Sequence, residues 1–219
     1  MLASRAVARF VTFEGLDGSG KSTHLERLAR RLEAAGVPHV VTREPGGTDL
    51  GAAIRDVFLD RRFAGMDGTI ELLMVFASRR QHLLEVIEPA LAAGRHVLCD
   101  RFTDSTLAYQ GFGRGVAREV IDRVDQLATG RRRPDRTLLF DLPAEAARRR
   151  GHSGARLRSG RADRLDAELV EFYARVRSGF LELAAAEPSR FTVIDSSGSV
   201  AATEAAVAGA LAELFETAG

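Results

Sequence analysis

Gly15-Leu16-Asp17-Gly18-Ser19-Gly20-Lys21-Ser22 fits the pattern G-x-x-x-x-G-K-[ST] without a mismatch. Its glycines let main-chain N–H groups turn inward around phosphate oxygens, and a helix starting there adds its positive end. The flanking sequence supplies that context. Arg9 to Glu14 is a short apolar run suited to a buried strand. Leu25, Leu28, Ala29 and Leu32 then recur on one helical face, until Gly36 and Pro38 end the helix. Gly15 to Ser22, with Thr23, are therefore the expected cradle for a nucleoside triphosphate. Lys21 is placed to reach the β and γ phosphates, and the Ser22 hydroxyl to hold Mg²⁺, which prefers oxygen ligands. The motif alone does not separate kinases from GTPases and motor ATPases.

Working outward, four more short runs rich in valine, leucine and phenylalanine read as strands: Pro38 to Thr42, His96 to Asp100, Thr137 to Asp141 and Phe191 to Asp195. They lack strict polar alternation, as strands buried on both faces do. Long helical patterns cover about Thr69 to Ala93, Asp163 to Ala186, and the alanine-rich stretch from Val200. Strands alternating with helices imply an α/β fold of three layers, a parallel sheet between helices, with ligands at the carboxyl ends of the strands. The 219 residues suit one domain, residues 1–219, and 45% apolar residues can fill its core.

The charge balance, 31 basic against 30 acidic side chains, gives no sign of general nucleic-acid binding. The single cysteine, Cys99, allows no internal disulfide and suggests a reducing compartment. No apolar run approaches the roughly 20 residues of a membrane span, and Met1 to Ala8 is too short and mixed for a signal peptide. A cytoplasmic location without membrane contact is the expectation. His24, His39, His82, His96 and His152 stand singly, without metal-ligand spacing.

Three further segments follow strand ends: Thr42-Arg43-Glu44-Pro45-Gly46-Gly47-Thr48, Cys99-Asp100-Arg101-Phe102, and Ser105-Thr106-Leu107-Ala108-Tyr109-Gln110-Gly111. Together with the phosphate loop they resemble bacterial thymidylate kinase over nearly the whole chain. The resemblance implies a P-loop NTPase-type fold with a five-stranded sheet, a homodimer, ATP with Mg²⁺ as donor, and deoxythymidine monophosphate (dTMP) as acceptor. It makes Asp17 the partner of the sugar 3′-OH, and Arg101 and Arg43 the holders of the acceptor phosphate. A guanidinium can grip such oxygens in pairs. Glu44 and Pro45 shape the wall beside the base. Ser105, Thr106, Tyr109 and Gln110 line base and sugar, with the tyrosine under the ribose. Asp100, a carboxylate at a buried strand end, needs a partner, either Arg101 or the Mg²⁺ shell it would share with Ser22.

The long helix departs from the family pattern of a phenylalanine four residues before a base-binding arginine. Aligned on downstream residues, Arg79 is that arginine and Val75 takes the stacking position. Phe76 and Arg80 keep the same spacing one step along, while Phe76 also falls in line with Leu73, Leu83 and Ile87 as a core stripe. Phe76 therefore has two roles open to it.

Between about residues 148 and 164, Arg148, Arg149, Arg150, Arg156, Arg158, Arg161 and Arg164 interleave with Gly151, Gly154 and Gly160. Mobile backbone rich in positive charge suits a lid that closes over phosphates. No basic residue lies between Gly15 and Gly20, and in this the chain resembles those thymidylate kinases, typically bacterial, that carry the transition-state arginine in the lid; the resemblance makes Arg156, Arg158 or Arg161 the candidates. The catalytic set is then Lys21, Asp100, Arg101 and a lid arginine such as Arg158. Two other readings compete: a kinase of the same architecture for another nucleoside or its monophosphate, and a nucleotide-binding regulatory module without transfer activity.

Overall fold

The computed structural model describes residues 7–150, 164–165 and 168–215. Five strands, β1 (Phe10–Gly15), β2 (His39–Arg43), β3 (His96–Asp100), β4 (Arg136–Asp141) and β5 (Phe191–Asp195), lie in the order β2-β3-β1-β4-β5. Every pairing is parallel. Each strand lies within one residue of its expected bounds, because continuous apolar runs between turn residues leave little freedom. β1 is central, so the phosphate loop after it opens at the middle of the sheet.

Alternation along β1 divides the two layers. Val11 and Phe13 point to one face and pack with Leu25, Leu28 and Leu32 of α1 (Lys21–Ala34) and Val207 and Leu211 of the helix Val200–Phe215. Phe10, Thr12 and Glu14 point to the other. There Phe10 packs with Leu83, Ile87 and Phe102, and Thr12 meets the Thr137 hydroxyl at 2.9 Å. Each large apolar side chain buried this way contributes about 1.5–3 kcal/mol.

The second layer holds α2 (Asp49–Leu59), α3 (Gly68–His82), α4 (Thr103–Thr106), α5 (Arg118–Thr129) and α6 (Val170–Ala186). The Thr48 hydroxyl caps α2 through Gly51 N, and Asp67 caps α3 through Thr69 N. α3 runs on through a π-helical turn, Leu83–Ile87, into Glu88–Ala92, and α4 runs into a second π-helical stretch, Leu107–Gly113. Such wide turns often mark functional positions.

Three expectations need correction. Leu73 is 55% exposed, so it does not join the core stripe of Phe76, Leu83 and Ile87. The helix expected from Asp163 begins at Val170, leaving Leu165 to the cleft wall and Leu169 exposed. α2 lies where no separate helix was read. The lid candidates Arg156, Arg158 and Arg161, with Asp163, fall outside the described residues.

Candidate active site

β1 ends at Gly15, whose φ of 131° suits glycine alone. A Cβ there would meet the Phe140 carbonyl oxygen at 2.4 Å, so the turn can leave β1 only with no side chain. Gly20, also left-handed, precedes α1, and no side chain caps that helix. Its first N–H groups are left to face the loop, as an anion site requires. Lys21 folds over this loop, Nζ donating to Leu16 O at 2.9 Å, with Asp17 at 3.9 Å. Burial, aided by Arg101, pulls its pKa below the usual lysine range.

At the end of β3, Asp100 Oδ2 accepts from the Ser22 hydroxyl at 2.7 Å. Its Oδ1 is buried without a protein partner. An ion held by one or two protein oxygens and by phosphates fits this donor set, since Mg²⁺ keeps several waters and needs no all-protein cage. Among the described residues no cluster of three or more His, Cys, Asp or Glu forms a dedicated cage. Asp100 is therefore paired with Ser22, while its neighbour Arg101 points elsewhere.

Arg101 has a φ of 73°, uncommon for a residue with a side chain. Its own N–H bonds to Phe13 O at 3.0 Å, and the next N–H, of Phe102, bonds to Glu14 Oε1 at 2.7 Å. This turn aims the guanidinium across the cleft floor. There it donates to Asp17 Oδ1 at 2.7 Å, Ser105 Oγ at 2.8 Å and Tyr109 OH at 3.2 Å, and lies 4.9 Å from the Tyr109 ring centre. Against the desolvation of its place on the cleft floor, Arg101 and then Lys21 hold the Asp17 carboxyl below the usual carboxylate range. Burial pushes the Tyr109 phenol above its usual range.

Glu14 was not singled out by sequence. It sits beneath Arg101, wholly buried, accepting also from the Ser105 hydroxyl. Burial first, then the charge of Asp104, raises its pKa to about 8.

The other end of the cleft, around Arg79, Thr106 and Gln110, is walled by fixed polar groups. Arg79, 1% exposed, donates through Nε to Glu44 Oε2 at 2.6 Å and through Nη2 to Thr106 Oγ1 at 3.0 Å. Its guanidinium lies 4.6 Å from the Phe76 ring centre, and its Nη1 has no protein partner. Glu44 in turn bonds His82 Nδ1 at 2.9 Å, and His82 Nε2 meets the Thr42 hydroxyl at 2.6 Å. Glu71 takes Gln110 Nε2 at 2.8 Å, Arg164 Nη1 at 2.6 Å and Arg114 Nε at 3.1 Å. Burying these carboxylates is tolerable because each faces guanidinium or imidazole partners.

The cleft encloses about 620 Å³, its open mouth included. Asp17, Glu44, Pro45, Arg79, Arg101, Ser105, Thr106, Tyr109 and Gln110 all line it, brought together from four separate stretches of chain. Phe76 does not line it. It is 2% exposed in the core beneath Arg79, while Val75 faces the cleft. Arg43, at the end of β2, is exposed and outside the lining. Arg55 and Phe58 of α2 were missed by sequence. Arg55 reaches Pro45 O at 3.1 Å, and Phe58 brings an aromatic face to the cleft, with Arg164 4.5 Å behind its ring centre. Of the lid arginines, Arg164 is buried as an anchor rather than free, and Arg150 bonds Ser196 O at 2.9 Å.

Comparison with known proteins bears on family and fold. The family model described as thymidylate kinase matches residues 13–207. A thymidylate kinase of Geobacter sulfurreducens is 50% identical over 205 residues, covering 92% of this chain and 95% of that protein. One from Pseudomonas syringae pv. tomato is 50% identical over 207 residues, covering 94% and 96%. The crystal structure of thymidylate kinase from Ehrlichia chaffeensis superposes with a TM-score of 0.74 at 35% identity, covering 94% of this chain and 98% of that one.

Proposed function

This chain belongs to the thymidylate kinase family, and from that premise we propose how its residues share the work. The enzyme is an ATP-dependent nucleoside monophosphate kinase that transfers the γ-phosphate of ATP to dTMP, giving dTDP and ADP. The triphosphate lies on the loop Gly15 to Ser22, with Thr23 at the start of α1. Lys21 exchanges its bond to Leu16 O for phosphate oxygens. The monophosphate lies along the cleft, its phosphate on Arg101 and, at the mouth, Arg43. Asp17 takes the sugar hydroxyl, Tyr109 lies beneath the sugar, and Arg79, Thr106 and Gln110 meet the base. The acceptor phosphate is already anionic, so its oxygen attacks phosphorus in line without a protein base.

Mg²⁺ is assigned to Ser22 and Asp100, where it would neutralise charge on the transferred group. The observation carrying this reading is the convergence at one floor of Lys21, Asp17 and Arg101, which joins the loop's cation to the acceptor cleft. A lid arginine from Arg156, Arg158 or Arg161 completes the charge on the transferred group. A panel of nucleoside monophosphates with Mg-ATP tests the whole. The highest kcat/KM should fall on dTMP, and Lys21→Ala should lose at least about a hundredfold in kcat with the fold intact. A better acceptor than dTMP would overturn the assignment.

A homodimer is proposed on the exposed apolar face of α2 and α3. Leu50, Val57, Ile70, Leu73 and Leu84 are each about half exposed, and Ile70, Leu73, Ala77 and Leu84 follow one helical face. A cytoplasmic setting is proposed from the single, buried cysteine. No described helix is long and apolar enough to cross a membrane.

A further inference from the structure

Glu71 lies in the first turn of α3, wholly buried and outside the lining of the cleft. Its two oxygens are divided. Oε1 is taken by Arg164 and Arg114, at 2.6 and 3.1 Å. Oε2 is taken by the amine of Gln110 at 2.8 Å. A carboxylate between two guanidiniums offers only lone pairs. The Gln110 amide therefore has one orientation open to it, NH₂ toward Glu71, and the side left for the cleft is its oxygen. Across the same cleft Arg79, pinned by Glu44 and Thr106, can only donate, and its Nη1 is buried without a partner.

We propose that Glu71 is a positioning residue that sets base specificity: it fixes the Gln110 amide with its oxygen toward the base, selecting a pyrimidine that carries a ring N–H beside a carbonyl. The inference rests on the proposed placement of the base between Arg79 and Gln110. A cytosine presents the opposite pair, a bare ring nitrogen beside an amino group. It would set acceptor against acceptor at Gln110 and donor against donor at Arg79. Discrimination then comes from unpaired buried groups, the most effective kind.

Glu71→Gln tests this, because its single oxygen stays with the two guanidiniums and its new amine turns toward Gln110. The Gln110 amide must then reverse and present its own amine to the cleft. The ratio of kcat/KM for dTMP to that for deoxycytidine monophosphate should fall on the order of tenfold to a hundredfold. The double variant Glu71→Gln/Gln110→Glu again offers only oxygen to the cleft while keeping the charge, and should restore the ratio. A purely structural role for Glu71 would produce no such restoration. An unchanged ratio in folded Glu71→Gln, or no recovery in the double variant, overturns the proposal. Where Glu71→Gln is not recovered folded, the double variant decides. A ratio within about tenfold of the parent supports the proposal, and a ratio near one overturns it. Gln110→Met separates the underlying reading: an unchanged ratio there means that the base does not lie against Gln110 at all.

Discussion

The carboxylate of Asp17, inside the phosphate loop, lies 2.7 Å from the guanidinium of Arg101, which follows the end of β3. On the proposed placement of the nucleotides, this charged bond joins the donor and acceptor halves of the cleft, with Lys21 3.9 Å from the same carboxylate. The partners come together because β1 and β3 are neighbours in the sheet, pairing Phe13 with Asp100.

That arrangement uses the fork of Arg101, with Nη1 on Ser105 and Nη2 on Asp17 and Tyr109. Arg101→Lys keeps the charge and loses the fork. We expect kcat/KM for dTMP to fall roughly a hundredfold or more while the KM for ATP changes little. Steady-state kinetics with each substrate varied in turn will check it, and an equal loss in both would argue against a role confined to the acceptor.

Glu44 holds two buried partners, Arg79 and His82, at 2.6 and 2.9 Å. Glu44→Ala leaves a buried guanidinium without its counter-ion. The expected destabilisation is about 3–5 kcal/mol, read from urea unfolding. A loss below about 1 kcal/mol would mean that water or a rearranged neighbour satisfies Arg79 instead.

Glu14 has its pKa raised to about 8 by burial and by Asp104, against 4.5 for a free glutamate. The folded state thus binds the proton more tightly than the unfolded chain. Stability from this group is full below about pH 4.5 and declines as pH rises toward 8, with a slope of up to about 1.4 kcal/mol per unit. Glu14→Gln, which does not titrate, should flatten that part of the stability curve. Parallel pH profiles of urea midpoints for parent and variant would contradict this.

Leu73 is exposed on α3 although Leu72, Val75 and Phe76 of the same helix are core. The proposed homodimer gives the parent a dimeric mass by light scattering, and Leu73→Glu should shift that mass toward monomer with little change in the content of helix; a monomeric parent would overturn the homodimer. A variant that remains dimeric would place the interface elsewhere.

The sheet and the phosphate loop were legible because both rest on local signals: unbroken apolar runs, and glycines where the main chain must bend. Phe76 shows where local signals stop. One step along α3 rotates a side chain about 100°, so Val75 and Phe76 divide between cleft and core according to tertiary packing alone. Glu14 and Glu71 were not legible, because a buried acidic side chain in a strand or helix looks like any other until its partners, from 39 to 93 residues away in no fixed pattern, are brought beside it. The contacts of Gln110 and of Arg164 with Glu71 mark the two ends of that span. Phe58 was not legible as a cleft residue because Leu50, Ile54, Val57 and Phe58 share one apolar stripe in α2, and only tertiary packing decides that Phe58 is buried while Leu50 and Val57 stay exposed.

Tyr109 and Gln110 belong to the widened helical stretch Leu107–Gly113. Such a stretch holds one residue more than an α-turn of equal span. Shortening it by a single residue would let it relax to ordinary helix with the flanking segments still in place, yet would turn Tyr109 and Gln110, the proposed sugar and base contacts, away from the cleft. This is a change in length that the architecture would survive and the catalyst would not.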